Sequence, residues 1–122
     1  MKINSSDLTI LLYHGVFKKK SKGVANFSGK HLFIDNFYNQ MKVIKENYNI
    51  LSINEIVELK KNKLKWGENS VAVTFDDGFK NNYKYALPIL EELKIPTVFY
   101  ICAGMIGSSH MFWVDIIEDC IN

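Results

Sequence analysis

Two adjacent carboxylates, Asp76 and Asp77, are the residues of this sequence best suited to chemistry. They follow a short apolar run, Val71 to Phe75, and they precede Gly78. Like charges in a low-dielectric cleft push one another towards the neutral form, so such a pair is costly unless it has a partner. A divalent metal would resolve the conflict, because one carboxylate could bind it while the other takes a proton from water. Gly78 permits a tight turn that lets both side chains address one site.

A plainer interpretation is that Asp-Asp-Gly forms a polar turn whose carboxylates cap the following helix. Taken alone, the tripeptide favours that interpretation. A phosphotransfer fold also places Asp at strand ends, but one such class requires Asp-x-Asp spacing, and the sequence around the pair does not fit it. The surrounding elements therefore have to decide.

Strand and helix patterns alternate along the chain. Short apolar runs predict strands over 8–13, 71–75 and 97–101, the first two buried on both faces. Helical spacing predicts helices over about 33–47, 52–61, 83–93 and 113–121. Ser52 and Glu55 form a capping-box pattern at the second helix, and Pro88 implies a kink or a restart in the third.

This alternation predicts an α/β fold with parallel strands and right-handed crossovers. The carboxylate pair would then lie at the C-terminal mouth of the strands. Three or so strands do not close a barrel, which takes about 200 residues or more. We therefore expect residues 1–122 to be a single partial domain, the first part of a distorted parallel barrel truncated at its C-terminus, with apolar surface uncovered at that edge.

Composition excludes several function classes. The chain of 122 residues carries 15 basic and 13 acidic residues, a net charge of +2, which gives no reason to expect nucleic acid as a partner. The basic run from Lys18 to Lys22 is interpreted as a solvated loop. Cys102 and Cys120 are predicted to be buried free thiols. No membrane span and no signal peptide are visible, which predicts a cytoplasmic protein.

The residues around the carboxylates carry a more specific signal. Thr74-Phe75-Asp76-Asp77-Gly78 resembles the first motif of the polysaccharide deacetylase family, the carbohydrate esterases with a NodB homology domain. Further segments resemble the same family in the same order, and together they cover nearly the whole chain: 12–16, 37–52, 86–90, 95–99, 104–107 and 111–113.

The resemblance implies a site and a reaction. Asp76 would be the catalytic base and Asp77 a ligand of a divalent metal, usually zinc. The reaction would be metal-dependent hydrolysis of an N-acetyl group on a polysaccharide or glycan precursor. Family members complete the metal site with a later pair of histidines spaced along one helix turn, and a later histidine protonates the leaving amine. This sequence has only His14, His31 and His110, and no two of them have the three- or four-residue spacing of such a pair.

The remaining polar and aromatic residues have two readings each. His14 could line the cleft, or it could satisfy a backbone group at the strand end. His31 is predicted to lie on a surface near a helix start and His110 in a polar loop. Trp113, Phe99 and Tyr100 could stack on a sugar face, but burial in the core explains them more simply. Asp115 and Asp119 are assigned to a solvated face rather than to a second metal site. The substrate-binding residues are not predicted.

Two conclusions follow for activity and partners. The chain alone is expected to bind metal weakly and to be a poor or absent catalyst, because the remaining ligands are missing. The alternative is a noncatalytic sugar-binding remnant of the same fold. The expected partner is an N-acetylated carbohydrate, with self-association or a complementing chain over the uncovered edge.

Overall fold

A computed structural model describes residues 7–18, 26 and 29–121. Within these ranges the chain forms strands and helices in the order β1 (Thr9–Tyr13), β2 (Gly15–Phe17), β3 (His31–Phe33), α1 (Ile34–Asn47), β4 (Asn49–Ile50), α2 (Ile53–Lys61), β5 (Ser70–Phe75), α3 (Leu87–Glu92), β6 (Thr97–Phe99) and α4 (Trp113–Ile121). Most of the basic run after Lys18 lies outside the described residues. The predicted alternation of strands and helices is confirmed.

The sheet is built around β5. Strand β1 pairs with it in parallel over its whole length, while β4 pairs with its start and β6 with its end. The carbonyl of Val71 accepts a hydrogen bond from Leu51, and the carbonyl of Phe75 accepts one from Tyr100. In a strand, the backbone carbonyls of alternate residues point to the same edge, and both of these carbonyls belong to odd-numbered residues. Strands β4 and β6 therefore share one edge of β5, and β1 occupies the other. Strands β2 and β3 form a separate parallel pair.

Strand β5 is the centre of the core, and all six of its residues are buried. Its Val71, Val73 and Phe75 belong to one apolar cluster with residues of α1 and α3. Such burial on both faces is expected for a central parallel strand covered by helices. Thr74 is buried within the strand, and its hydroxyl donates to the carbonyl of Leu11 at 3.1 Å, which satisfies it inside the sheet.

Local sequence signals account for two helix starts. Ser52 Oγ accepts from the Glu55 amide at 3.2 Å, and the Glu55 carboxylate accepts from the Ser52 amide at 2.8 Å, so the predicted capping box at α2 is confirmed. The predicted restart near Pro88 is confirmed as well. A π-helical turn over Asn82–Ala86 precedes α3, and Pro88 lies in the first turn of that helix, where its missing amide costs nothing.

Three sequence predictions are wrong in part. Strand β1 is not buried on both faces, since Ile10 and Leu12 are 53% and 54% exposed. The two cysteines, Cys102 and Cys120, are free as predicted but exposed rather than buried. The short strands β2, β3 and β4 were not predicted. Among the described residues, no helix has the length and apolarity needed to cross a membrane.

Helix α1 supplies a direct test of the packing. Met41 on this helix is fully buried, whereas Val43 is 53% exposed. We expect Met41→Ala to lower the free energy of unfolding by about 2–5 kcal/mol, because it leaves a cavity in the core. Val43→Ala should change it by less than about 0.5 kcal/mol. Urea denaturation followed by circular dichroism measures both, and equal effects of the two substitutions would contradict the docking of α1 described above.

Candidate functional site

Three aromatic rings form a row across the sheet at the last residue of each strand. Tyr13, Phe75 and Phe99 are partners in the register of β1, β5 and β6. The rings of Tyr13 and Phe75 stack at 5.3 Å between centroids, and those of Phe75 and Phe99 stack at 5.0 Å. Phe37 of α1 packs edge-on against the middle ring at 5.7 Å. This aromatic row fixes the level at which the three strands end.

The residues that follow the aromatic row emerge together at one edge of the sheet. The amide of Asp76 donates to the carbonyl of Tyr13 at 2.9 Å, and the amide of Tyr100 donates to the carbonyl of Phe75 at 2.7 Å. Parallel pairing thus continues one residue beyond the row on both sides of β5. His14, Asp76 and Tyr100 are consequently neighbours at the C-terminal mouth of the strands.

The turn after β5 has an unusual backbone. Asp77 and Gly78 both adopt left-handed conformations, with φ of 70° and 69°. Asp is one of the few non-glycine residues that enters this region readily. At Gly78 a Cβ atom would lie 2.8 Å from Cγ2 of Ile101, so this position has neither the backbone freedom nor the space for a side chain. The chain therefore reverses direction immediately after Asp76.

The candidate site contains carboxylates but not a full set of metal ligands. Asp76, Asp77 and His14 are each half-buried at the mouth of the strands. Carboxylate oxygen and imidazole nitrogen are suitable donors for a divalent cation. In the part of the chain that the structure describes, however, no group of three or more His, Cys, Asp or Glu side chains could hold a metal ion. Asp77 fits as one ligand of a metal, and the described residues do not complete its coordination.

His31 lies beside the turn and is not on a free surface. It is half-buried in β3, its ring packs edge-on against Phe79 at 4.9 Å, and its Nδ1 lies 3.3 Å from Nδ2 of Asn81. A Cβ on Gly15 would lie 2.0 Å from that Nδ1, so the ring lies directly on the backbone of β2. The prediction that His31 lies near a helix start is confirmed, since α1 begins at Ile34, but its placement on a surface is wrong, because β3 carries the ring into the fold. His110 is exposed outside any helix or strand, as predicted.

The surroundings of His31 favour its neutral form. Burial is the main cause that lowers its pKa below 6.5, and the positive charge of Lys30 acts in the same direction. His14 also lowers this pKa, whereas Asp115 and Glu118 oppose the shift. Four charged or titratable groups, Lys30, His14, Asp115 and Glu118, therefore act on His31 here.

Helix α4 has its polar and apolar residues in unexpected places. Asp115 is 9% exposed and forms an ion pair with Lys30, so it does not belong to a solvated face. Trp113 is 71% exposed and not part of the core, and Tyr100 is half exposed, while Phe99 is partly buried against the core as predicted. The side chain of Asp119 lies outside the described residues.

A small cleft of about 170 Å³ opens beside the turn, between the π-helical turn and β6. Gly78, Phe79 and Ile101 line one side, and Tyr83 and Asn82 line the other. Asn82 is 3% exposed, and both atoms of its carboxamide lack a hydrogen-bond partner among the described residues. A buried amide without partners is costly, and here it lies next to the candidate site.

Sequence reasoning missed the groups around the turn that come from distant segments. The contact of His31 with Asn81 spans 50 residues, and that of Lys30 with Asp115 spans 85. No local spacing announces such contacts. A usable signal was Gly15, which follows a strand and has an ordinary φ, so its lack of a side chain points to a close neighbour.

Gly15 provides a test of the His31 position. A methyl group there would collide with the base of the His31 ring, so Gly15→Ala should lower the free energy of unfolding by about 1–3 kcal/mol. The matched control is Gly104→Ala, where nothing lies within 4 Å of the added atom, and it should be neutral or stabilise by up to about 1 kcal/mol. Thermal and urea unfolding give both values. A Gly15→Ala protein as stable as the control would show that His31 lies elsewhere.

The depressed pKa of His31 has a consequence for stability. The unfolded chain binds this proton more readily than the folded one, so the stabilisation from neutral His31 is fully present above about pH 6.5 and is lost as the pH falls through the folded pKa. We expect the wild-type chain to lose more stability than His31→Asn between about pH 7.5 and about pH 5.5. His110→Asn, at an exposed position, serves as the control and should follow the wild type. Parallel curves for wild type and His31→Asn would contradict the expectation.

Comparison with known proteins finds relatives in sequence and in fold. Residues 63–120 match the family model described as polysaccharide deacetylase. The poly-beta-1,6-N-acetyl-D-glucosamine N-deacetylase of Staphylococcus aureus is 32% identical over 103 residues, which are 84% of this chain and 34% of the relative. The chain therefore spans about a third of the length of the curated relative that it matches.

Solved structures agree on the fold. IcaB from Ammonifex degensii superposes with a TM-score of 0.71 at 25% identity, over 98% of this chain and 50% of that one. The Streptococcus pyogenes deacetylase PplD superposes with a TM-score of 0.68 at 22% identity, over 96% and 53%. The resemblance suggested by the sequence motifs is confirmed. The chain has the fold of part of a polysaccharide deacetylase barrel, and its residues 63–120 match the model of that family.

Proposed function

We propose that this chain contributes the acidic pair of a polysaccharide N-deacetylase that hydrolyses N-acetyl groups on a glucosamine-containing glycan. The observation that carries the proposal is the position of Asp76 and Asp77 on a left-handed turn at the C-terminal mouth of three parallel strands. A protein with 32% identity is named as an N-deacetylase of a poly-N-acetylglucosamine. A strand-end site of this kind is where barrel folds place their reacting groups.

The proposed reaction is the hydrolysis of an acetamide. The oxygen of a water molecule adds to the acetyl carbon, the C–N bond breaks, and acetate and a free amine are released. Asp76 accepts the proton that the water loses, as a general base, and a proton is delivered to the nitrogen as the C–N bond breaks, so that Asp76 ends ionised and the product is the amine. Asp76 suits this role because it is half-buried at the strand end with its backbone fixed by the hydrogen bond to Tyr13. His14, its neighbour across the strands, lines the same cleft in this proposal.

Zinc is the proposed cofactor, with Asp77 as one ligand. When bound, zinc would polarise the acetyl carbonyl and lower the pKa of water to about 7. Because the described residues bring no complete ligand set, the other ligands come in this proposal from residues that this structure does not place, in the same protein or in a complementing chain. The chain by itself is then a weak zinc binder and a poor or absent catalyst.

The uncovered apolar surface supports the idea of a complementing part. Ile10 and Leu12 are exposed on β1, and Trp113, Ile116 and Ile117 are exposed on α4. Large apolar side chains on an exposed strand face and along one helix are suited to contact with further elements of a barrel. We propose that further barrel elements, or a second copy of the chain, cover these residues in the working enzyme.

A second function deserves consideration because of the missing ligands. A sugar-binding module of the same fold would use the cleft and the acidic turn to bind a glycan without hydrolysing it. Only the presence or absence of turnover with bound zinc separates the two functions, and both require the acetylated sugar to reach the turn.

Zinc binding tests the ligand assignment. We expect Asp77→Asn to weaken Zn²⁺ binding by at least about tenfold, because it removes the charged donor while Asn still tolerates the left-handed backbone. Asp35→Asn, an exposed carboxylate in the first turn of α1, is the matched control and should leave the affinity unchanged. Competition with a chromophoric chelator measures all three proteins. Equal affinity in wild type and Asp77→Asn would exclude Asp77 as a ligand.

Sugar binding and turnover test the function itself. An oligosaccharide of β-1,6-linked N-acetylglucosamine should shift the NMR amide signals of Asp76, Asp77 and Gly78, and a fully deacetylated oligomer of equal length should not. Neither oligomer shifting these signals would contradict the proposal. With zinc present, amine release should not exceed that of Asp77→Ala. A higher rate would support the deacetylase and overturn the incomplete site.

A further inference from the structure

A group of side chains outside the acidic pair surrounds the segment that follows it. We call this group the His31 cluster, and its members are Lys30, His31, Phe79, Asn81 and Asp115. Phe79 comes directly after Gly78, and Asn81 follows two residues later. Contacts that fix Phe79 and Asn81 therefore also fix the C-terminal end of the Asp76–Asp77–Gly78 turn, which we call the C-terminal arm.

His31 contacts this arm twice. Its ring packs against the ring of Phe79 with centroids 4.9 Å apart and an interplanar angle of 70°. Its Nδ1 lies 3.3 Å from Nδ2 of Asn81, and in the neutral tautomer with the proton on Nε2 this Nδ1 accepts a hydrogen bond from the amide. Oδ1 of Asn81 is buried and has no hydrogen-bond partner in the described part of the chain. The single polar contact of the Asn81 side chain within that part therefore depends on Nδ1 of His31.

His31 is itself held in place from two sides. Its backbone amide donates to Oδ1 of Asn26 at 2.9 Å, and its carbonyl accepts from Nδ2 of Asn26 at 2.6 Å. Gly15 has no side chain, which leaves the space that the ring occupies. A ring fixed in this way acts as a rigid support, because little rotamer freedom remains to be lost.

Phe79 also contacts Lys30 of the cluster and one ring from outside it. Nζ of Lys30 lies 5.4 Å above the centroid of Phe79, and the ring of Phe112 packs edge-on against it at 5.6 Å. Lys30 also pairs with Asp115 of α4. Phe79 is thus contacted by three groups from two separate segments of the chain, namely the adjacent residues Lys30 and His31, and the ring of Phe112.

We propose that His31 is a positioning residue for the acidic pair, and that its neutral imidazole holds the Asp76–Asp77–Gly78 turn through Asn81 and Phe79. Protonation turns Nδ1 from an acceptor into a donor, so the amide of Asn81 can no longer donate to it. The amide must then turn to present Oδ1 or leave the ring. The role of this turn in hydrolysis rests on the proposed deacetylase function. The contact of His31 with Asn81 and Phe79 does not depend on that function.

Charged and titratable groups face His31 from each segment that packs around it. Lys30 precedes it in the chain, Asp115 and Glu118 approach from α4, and His14 follows β1. Of these groups, His14 carries a second imidazole next to His31, and this imidazole must be removed from the experiment so that the response of His31 is read alone. His14→Gln therefore serves as the background for every variant below.

The test is a pH titration of the full chain by two-dimensional NMR. We expect the backbone amides of Gly78 and Phe79 and the side-chain amide of Asn81 to follow one midpoint, equal to that of the His31 ring and below about 6.5. In His31→Asn that step should vanish. Since the Asn amide can reach the position of Nδ1, the signals of the turn should stay near their values at neutral pH.

His31→Phe separates the two contacts. It keeps a ring against Phe79 but removes the acceptor, so the signals of Gly78 and Asn81 should move at every pH. Unchanged signals from α2, which is remote from the cluster, report that each variant is folded. Should His31→Phe not fold, the titration of His31→Asn alone decides.

Two results would overturn the proposal. In the first, the amide signals of the turn do not shift at the pH where the His31 ring titrates; in the second, they shift only at a carboxylate midpoint near about 4. Failure of the proposed function looks different. The turn would respond to His31 while acetylated oligosaccharide and Zn²⁺ left the signals of Asp76 and Asp77 unmoved, and in that case the positioning role would stand without the deacetylase.

Discussion

The common end of three parallel strands is the constraint on which the rest of this structure depends. Tyr13, Phe75 and Phe99 stack in one row, and the next residue of each strand continues the pairing. A shift of one residue in this register would send the buried side chains of β5 to the opposite faces. The aromatic row therefore does more than fill space, because it sets where His14 and Asp76 leave the sheet.

The turn after β5 depends on a second constraint, which is steric. Two successive left-handed residues bring the chain back on itself, and Ile101 covers the second of them so closely that only glycine fits. The segment beyond the turn then meets His31, Lys30 and Phe112. The acidic pair is thus fixed on its N-terminal side by hydrogen bonds of the sheet. On its C-terminal side it is fixed by the packing of Phe79 against distant segments.

Sequence reasoning succeeded where structure is determined locally. The buried run of β5, the capping box at Ser52 and the restart near Pro88 each depend on a few adjacent residues, and each is confirmed. The acidic pair was placed at a strand end for the same reason. Its chemical roles stay predictions, because no neighbouring residue in the described part of the chain completes a metal site.

Contacts between distant segments could not be predicted. Strands β2 and β3 are only three residues long and depend on each other across the chain, so neither shows a pattern of its own. Helix α4 departs from its sequence pattern because Asp115 pairs with Lys30, 85 residues away, which lets a carboxylate face inward and a tryptophan face outward.

The left-handed backbone of Asp77 means that the shape of the turn and its charge can be lost separately in evolution. Asparagine and glycine also enter this region readily, so either exchange would keep the loop intact while removing the carboxylate. A lineage released from selection for hydrolysis could thus retain the architecture of the mouth for a long time. Among descendants of such a fold, an acidic residue at this position is a better sign of retained chemistry than the loop that carries it.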